Sequence, residues 1–324
     1  MLGWGLLGLG FRVTGSGGGP PTTIQRAWKA AAIGPQAGER NESPRVDLKP
    51  SPTRGYGLVL NGYSLGGPTR SERMALKWKA ARAERIGGRK EQQDRVGFFH
   101  SRDGKACLLL VADGMGGHCG GSLAAQTLFD IAEMNWGSCS GAPDDPKQFL
   151  EHLCERAHHE VNLHGRERGL EPRSTVVALI VREPQAFWVH IGDSRLYRFR
   201  GHQLLGRTKD HSLVQVLVDA GEVTEDQMAT HPDQNRLLRS IGGENPPKTT
   251  HGHSFLQVQD RFLLCSDGFW ERITVEELAV AVNATNMDWS LNHLADLAAK
   301  RGGPIGDNVA AAAVRLSGFG PRKR

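Results

Sequence analysis

At 324 residues, 39% hydrophobic and 23% charged, the chain has an ordinary soluble composition with room for one large core. Its formal charge of +5 arises entirely before Met74, where nine Lys and Arg face four acidic residues, leaving 31 of each sign from Met74 onward. That neutral remainder argues against a polynucleotide partner, and no run of 18 apolar residues is present to cross a bilayer.

Residues 1–73 hold 15 of the 41 glycines and 7 of the 16 prolines, including GSGGGPP from Gly15 to Pro21, so a largely disordered, dispensable extension is expected there. The opening MLGWGLLGLGF is too short and too broken by glycine for a membrane helix. The pattern changes at Met74, and one compact domain is expected over 74–317, followed by a short basic tail, 318–324. Within the domain, apolar runs bounded by turn residues predict strands over Cys107–Ala112, Thr175–Val181, Ala186–Ile191, Leu196–Phe199, Arg261–Cys265 and Asn308–Val314. Apolar residues recurring every three or four positions predict helices over Gly121–Trp136 and Lys147–His164, with others over Ser212–Ala220, Val275–Val282 and Leu291–Ala299. Several strands are joined too closely for helical crossovers, as by Arg182 to Gln185, so antiparallel sheets covered by helices are expected. The five cysteines are odd in number and contain no CxxC pair, which fits a reducing cytoplasm.

Three strands run straight into an aspartate turn: LLLVADGMGGH (Leu108 to His118), WVHIGDSRLY (Trp188 to Tyr197) and FLLCSDGFWE (Phe262 to Glu271). A fourth segment, GDNVAAAAV, places Asp307 just before a strand. One Asp-Gly is usually only a turn, but four aspartates at strand ends can meet in space, where their mutual repulsion calls for cations. Carboxylates and a backbone carbonyl, without Cys or His at ligand spacing, favour Mg²⁺ or Mn²⁺ over zinc. Two such ions would clamp a phosphoryl group and activate a bridging water, with no nucleophilic side chain required.

VADGMGGH, IGDSRLY, LCSDGFWE and GDNVAAAAV, in this order, resemble the signature segments of the type-2C metal-dependent protein phosphatases in their bacterial form. Thr208 to Gly242 is similar to that family's flap-bearing stretch, and GRKEQQDRVG (Gly88 to Gly97) to its opening motif; the likeness runs from Trp78 to Leu316. The resemblance implies an α+β fold, a four-layer αββα sandwich of two mainly antiparallel sheets flanked by helices. It implies a serine/threonine phosphatase that uses a metal-bridging hydroxide. It makes Asp113 the ligand shared by both cations, Gly114 a carbonyl ligand, and Asp267 and Asp307 ligands of one cation. Arg89 would grip the substrate phosphate and Asp94 would steady metal-bound water, while Asp193 has a role more structural than ligating. The partners implied are phosphorylated proteins, namely the targets of a bacterial Ser/Thr kinase and the kinase itself, met by a cytoplasmic monomer. The chain departs from the family at Gln92 and Gln93, at Met115, where a histidine acid stands in the eukaryotic branch, and near Arg173, where an aspartate for a third cation is absent. Two other readings share the pattern: a pseudophosphatase that binds phosphoproteins without turnover, and a small-molecule phosphohydrolase.

Overall fold

The computed structural model describes residues 75–117 and 119–320, so the expectations for 1–73 and for the last four residues lie outside the described residues. The strands are β1 (Ala75–Arg85), β2 (Arg95–His100), β3 (Ala106–Ala112), β4 (Gly114–Met115), β5 (Arg173–Ser174), β6 (Val176–Arg182), β7 (Gln185–Ile191), β8 (Arg195–Arg200), β9 (Gln203–Arg207), β10 (Thr250–Phe255), β11 (Asp260–Cys265) and β12 (Val309–Gly320). The helices are α1 (Gly120–Ser138), α2 (Pro146–Arg168), α3 (Leu213–Asp219), α4 (Asp267–Trp270), α5 (Val275–Asn283) and α6 (Met287–Gly302). Pairing of β12 with β1 carries the last strand to Gly320, beyond residue 317.

Two five-stranded sheets, ordered β1-β12-β11-β8-β9 and β10-β7-β6-β3-β2, are antiparallel throughout. The period of two along β3 shows how the layers form. Leu108 and Leu110 pack with Ala124 and Leu128 of α1 and Leu150 and Leu153 of α2, whereas Cys107, Leu109 and Val111 join Val177 and Leu179 against Phe262, Leu264 and Ala312 of the other sheet. Leu263 and Ala311, which point the opposite way, meet Leu278 of α5 and Leu291 and Ala295 of α6. Strands buried on both faces read as continuous apolar runs. The result is the expected αββα sandwich. Among the described residues no helix is long and apolar enough to cross a membrane.

Helix starts are marked locally. The Asp145 side chain accepts from the Gln148 N–H with Pro146 at the first helical position, and Thr274 and Glu277 form a capping box ahead of α5.

Candidate metal centre

The topology sends the strand ends that run into Asp113, Asp193 and Asp267, and the one that follows Asp307, to one end of the sandwich. β3 and β7 both lie antiparallel to β6, so they finish on the same side, and β2 begins there because Arg95 pairs with Ala112. In the other sheet Cys265, at the end of β11, pairs with Ala311 near the start of β12 and with Arg195 at the start of β8. Asp113, Asp193, Asp267 and Asp307 are thereby gathered with Asp94.

The backbone of Asp113 is fixed by its neighbour across the turn. Its carbonyl accepts from the Thr175 N–H at 2.8 Å and the Ser174 hydroxyl at 3.0 Å, and its own N–H donates to Thr175 Oγ1. Gly114 is required by close packing: a Cβ there would lie 2.1 Å from the Gly121 carbonyl oxygen and 2.8 Å from that of Gln93. The absent side chain lets the start of α1 dock on the strand end. Asp94 is buried and accepts from the Ser266 hydroxyl at 2.7 Å, while Ser266 Oγ accepts from the Ala310 N–H. The opening loop is held by Asn308, whose Nδ2 donates to the Ile86 and Glu91 carbonyls and whose Oδ1 accepts from the Gln93 N–H.

These carboxyls disfavour ionisation together. Burial, then the charge of Asp267 and of the other aspartates, pushes Asp113 well above the usual carboxylate range. Burial raises Asp94 despite its bond from Ser266, and raises Asp193 with help from Asp267. Asp267 is pushed up to about 6, by burial first and by Asp307 second. Glu271, at the edge of the cluster, is raised to about 7 by burial and by Asp267.

Among the described residues no three His, Cys, Asp or Glu side chains close on a single point. Local bonds hold the oxygens apart: Asp267 Oδ1 accepts from the Gly268 N–H, Asp307 Oδ1 from the Asn308 N–H, and Asp307 Oδ2 from Arg89 at 2.5 Å. Arg89, expected to grip substrate, is thus paired with one of the expected metal ligands, its side chain 54% exposed. The donor set still fits hard divalent cations. It is made of carboxylate oxygens crowded against their own preference for charge, and Asp193 Oδ1 is buried without a partner. Burial holds the nearby Cys265 thiol well above its ordinary range.

Reading the aspartates from sequence missed the groups that hold them. Ser266 and Asn308 each adjoin an aspartate already singled out, but their partners lie 172 and 215 or more residues away. A second missed element anchors the stretch from Thr208 to Gly242. Arg195, stacked 3.3 Å from the Trp270 ring centroid, forks onto Asp210 at 2.9 and 2.7 Å, and the far end pairs through Ile241 with Ser174 beside Asp113.

A family model described as protein phosphatase 2C matches residues 83–294. A putative protein phosphatase 2C-type of Streptococcus pyogenes is 31% identical over 230 residues, covering 70% of this chain and 92% of the relative. The serine/threonine protein phosphatase PstP of Mycobacterium tuberculosis is 32% identical over 238 residues, 71% of this chain and 43% of that one. Among solved structures, the S. agalactiae serine/threonine phosphatase superposes with a TM-score of 0.66 at 29% identity, over 74% of this chain and 100% of that one. The catalytic domain of PstP in complex with two manganese ions gives 0.64 at 28% identity, over 75% and 100%.

Proposed function

The chain belongs to the protein phosphatase 2C family, and from that premise we propose that it removes phosphate from phosphoserine and phosphothreonine in proteins with two divalent cations, Mn²⁺ or Mg²⁺. The observation that carries this reading is the convergence of five aspartates, four of them with carboxyls pushed upward, at one end of the sandwich. Asp113 would be shared by both cations, with Gly114 contributing its carbonyl and Asp267 and Asp307 completing the set on one of them. Bound there, the cations would neutralise the substrate phosphate and lower the pKa of water for attack on phosphorus.

The protein's own groups then divide the remaining work. Asp94, tied to Ser266, is positioned to accept a hydrogen bond from water behind the ligands. Arg89 presents a planar fork at the rim, and substrate phosphate competes with Asp307 for it. Ser174 and Thr175 hold the Asp113 backbone while charge moves. Asp193 supports the site from below, its carbonyl accepting from Trp270 Nε1 at 3.0 Å. The aspartates that a binding-only protein would be free to lose, Asp113, Asp267 and Asp307, are all present.

We assign the protein to the cytoplasm as a monomer acting on targets of a Ser/Thr kinase, and on the kinase itself. The test is hydrolysis of a phosphothreonine peptide with added Mn²⁺, added Mg²⁺ or excess chelator. Turnover only with the cations is expected; undiminished turnover in chelator overturns the metal-dependent reading.

A further inference from the structure

Arg173 stands at the rim of this centre with no task in the chemistry above. It pairs with Met115 across the β4–β5 ladder, two residues beyond Asp113, and its neighbour Ser174 donates to the Asp113 carbonyl. Directly opposed residues of an antiparallel pair lie about 4.5 to 5.5 Å apart between Cα atoms. The residue is therefore tied to the reacting end of the fold through the backbone, yet it is exposed and forms no ion pair with any described residue.

Its guanidinium has a built seat. A Cβ placed on Gly243 would come within 3.5 Å of Arg173 Cζ, so the planar group lies over that glycine. The Gly242–Gly243 turn beneath it, with φ of +82° and +85°, is clamped by α2. His158 Nδ1 accepts from the Gly242 N–H at 3.1 Å, and Asn162 both accepts from the Gly243 N–H at 2.9 Å and donates to the Gly243 carbonyl at 3.0 Å. Gly242 must lack a side chain, because a Cβ there would stand 2.3 Å from the Pro172 carbonyl oxygen. A long, flexible cation is thus rested on a rigid support beside the metal centre, with its donors open to solvent. Such a fork matches a carboxylate or a phosphate.

We propose that Arg173 is a specificity residue that favours phosphosites flanked by a second anionic group, either an Asp or Glu side chain or another phosphate. The proposal rests on the phosphatase reading given above.

Its test is kcat/KM, with Mn²⁺, on phosphothreonine peptides matched except for one flanking position: neutral, Glu, phosphoserine or Lys. Wild type is expected to favour the anionic peptides by about fivefold at low salt, mainly through KM, the scale of one exposed ion pair, with the preference shrinking as salt rises. Arg173→Ala should erase that preference and Arg173→Glu should turn it toward the Lys peptide; Arg173→Lys should keep part of it. The Glu and phosphoserine arms tell which anion the fork reads better. An Ala variant that retains the preference overturns the proposal, as does one slowed equally on all four peptides, which would place Arg173 on the scissile phosphate. Turnover of the peptides by wild type without any flanking preference overturns the proposal alone. Failure of wild type to hydrolyse even p-nitrophenyl phosphate with Mn²⁺ overturns the phosphatase reading and this one with it.

Discussion

Asp113 is anchored through its main chain, whereas the role proposed for it lies in its side chain, which separates the two consequences of changing it. Thr175 and Ser174 hold the backbone whatever the carboxyl becomes. Asp113→Asn removes one negative charge and one anionic oxygen from the shared position, so kcat should fall on the order of 10³-fold, about 4 kcal/mol of barrier. The metal-free fold should be as stable as wild type or slightly more, since burial and four neighbouring carboxylates already disfavour that charge. Turnover within tenfold of wild type in a steady-state assay would remove Asp113 from the bridging role. The pH dependence follows from Asp267, raised to about 6 by burial and Asp307. A carboxyl whose pKa is higher in the fold than in the unfolded chain binds its proton more tightly when folded, so acidification favours the native state and the gain is lost as pH rises through about 6. Without metal, Asp267→Asn should therefore melt above wild type near neutral pH, and the gap should narrow as pH falls through about 6 and close only near the ordinary carboxylate value of 3.8. Paired thermal melts that show the gap widening on acidification would contradict this sign.

At the scale of elements, the strands readable from sequence and those missed divide by position in the sheet. The six predicted runs became β3, β6, β7, β8, β11 and β12, which are the three interior strands of each sheet. The four strands not predicted in the main sheets, β1, β2, β9 and β10, are the four edges. An interior strand covered on both faces carries an apolar run, as ACLLLVA (β3) does, whereas an edge such as THGHSF (β10) buries little and shows no comparable run. β1 is further masked by its residues: ALKWKAARAER is rich in helix formers, and its Ala81 and Ala83 are buried only because the chain lies beside β12. The candidate site divides similarly. Asp113, Asp193, Asp267 and Asp307 were legible because each lies beside the end of an interior strand, whereas Asp94 precedes the edge strand β2 and was reached only through the family resemblance, and the supports Ser266 and Asn308 acquire meaning only from partners far along the chain. Asn308 makes the most direct test of such a support, since Asn308→Ala strips hydrogen bonds from Ile86, Glu91 and Gln93 at once. A loss of about 2 to 3 kcal/mol in urea unfolding is expected, with a further fall in kcat/KM because Arg89 and Asp94 belong to the loop it holds. A loss under about 0.5 kcal/mol would show that the loop stands without it.

For the whole molecule, one antiparallel topology explains both where the site is and why the metal-free protein bears a cost there. Strand order brings five carboxyls to one end, and the described residues supply only Arg89, at the rim, as a direct ion-pair partner for any of them. The unfolded chain does not suffer this repulsion, because Asp113 and Asp307 then lie nearly two hundred residues apart. Divalent cations should consequently act as stability ligands of the whole sandwich as well as of its chemistry. A cation held only by the folded state at a hundredfold excess over its Kd contributes about 2.7 kcal/mol. For a domain of this size that corresponds to a rise in Tm of roughly 5 to 10 °C. Calorimetry of metal-stripped protein with and without Mn²⁺ should show the rise, and excess chelator should reverse it. Asp113→Asn should show little of it, since the position proposed to be shared by both ions has lost its charge, whereas Arg173→Ala, which touches no carboxyl of the cluster, should keep it in full. An equal rise in Asp113→Asn would mean that the stabilising cation binds elsewhere, and with it the link between the strand-end carboxyls and the metals would fail.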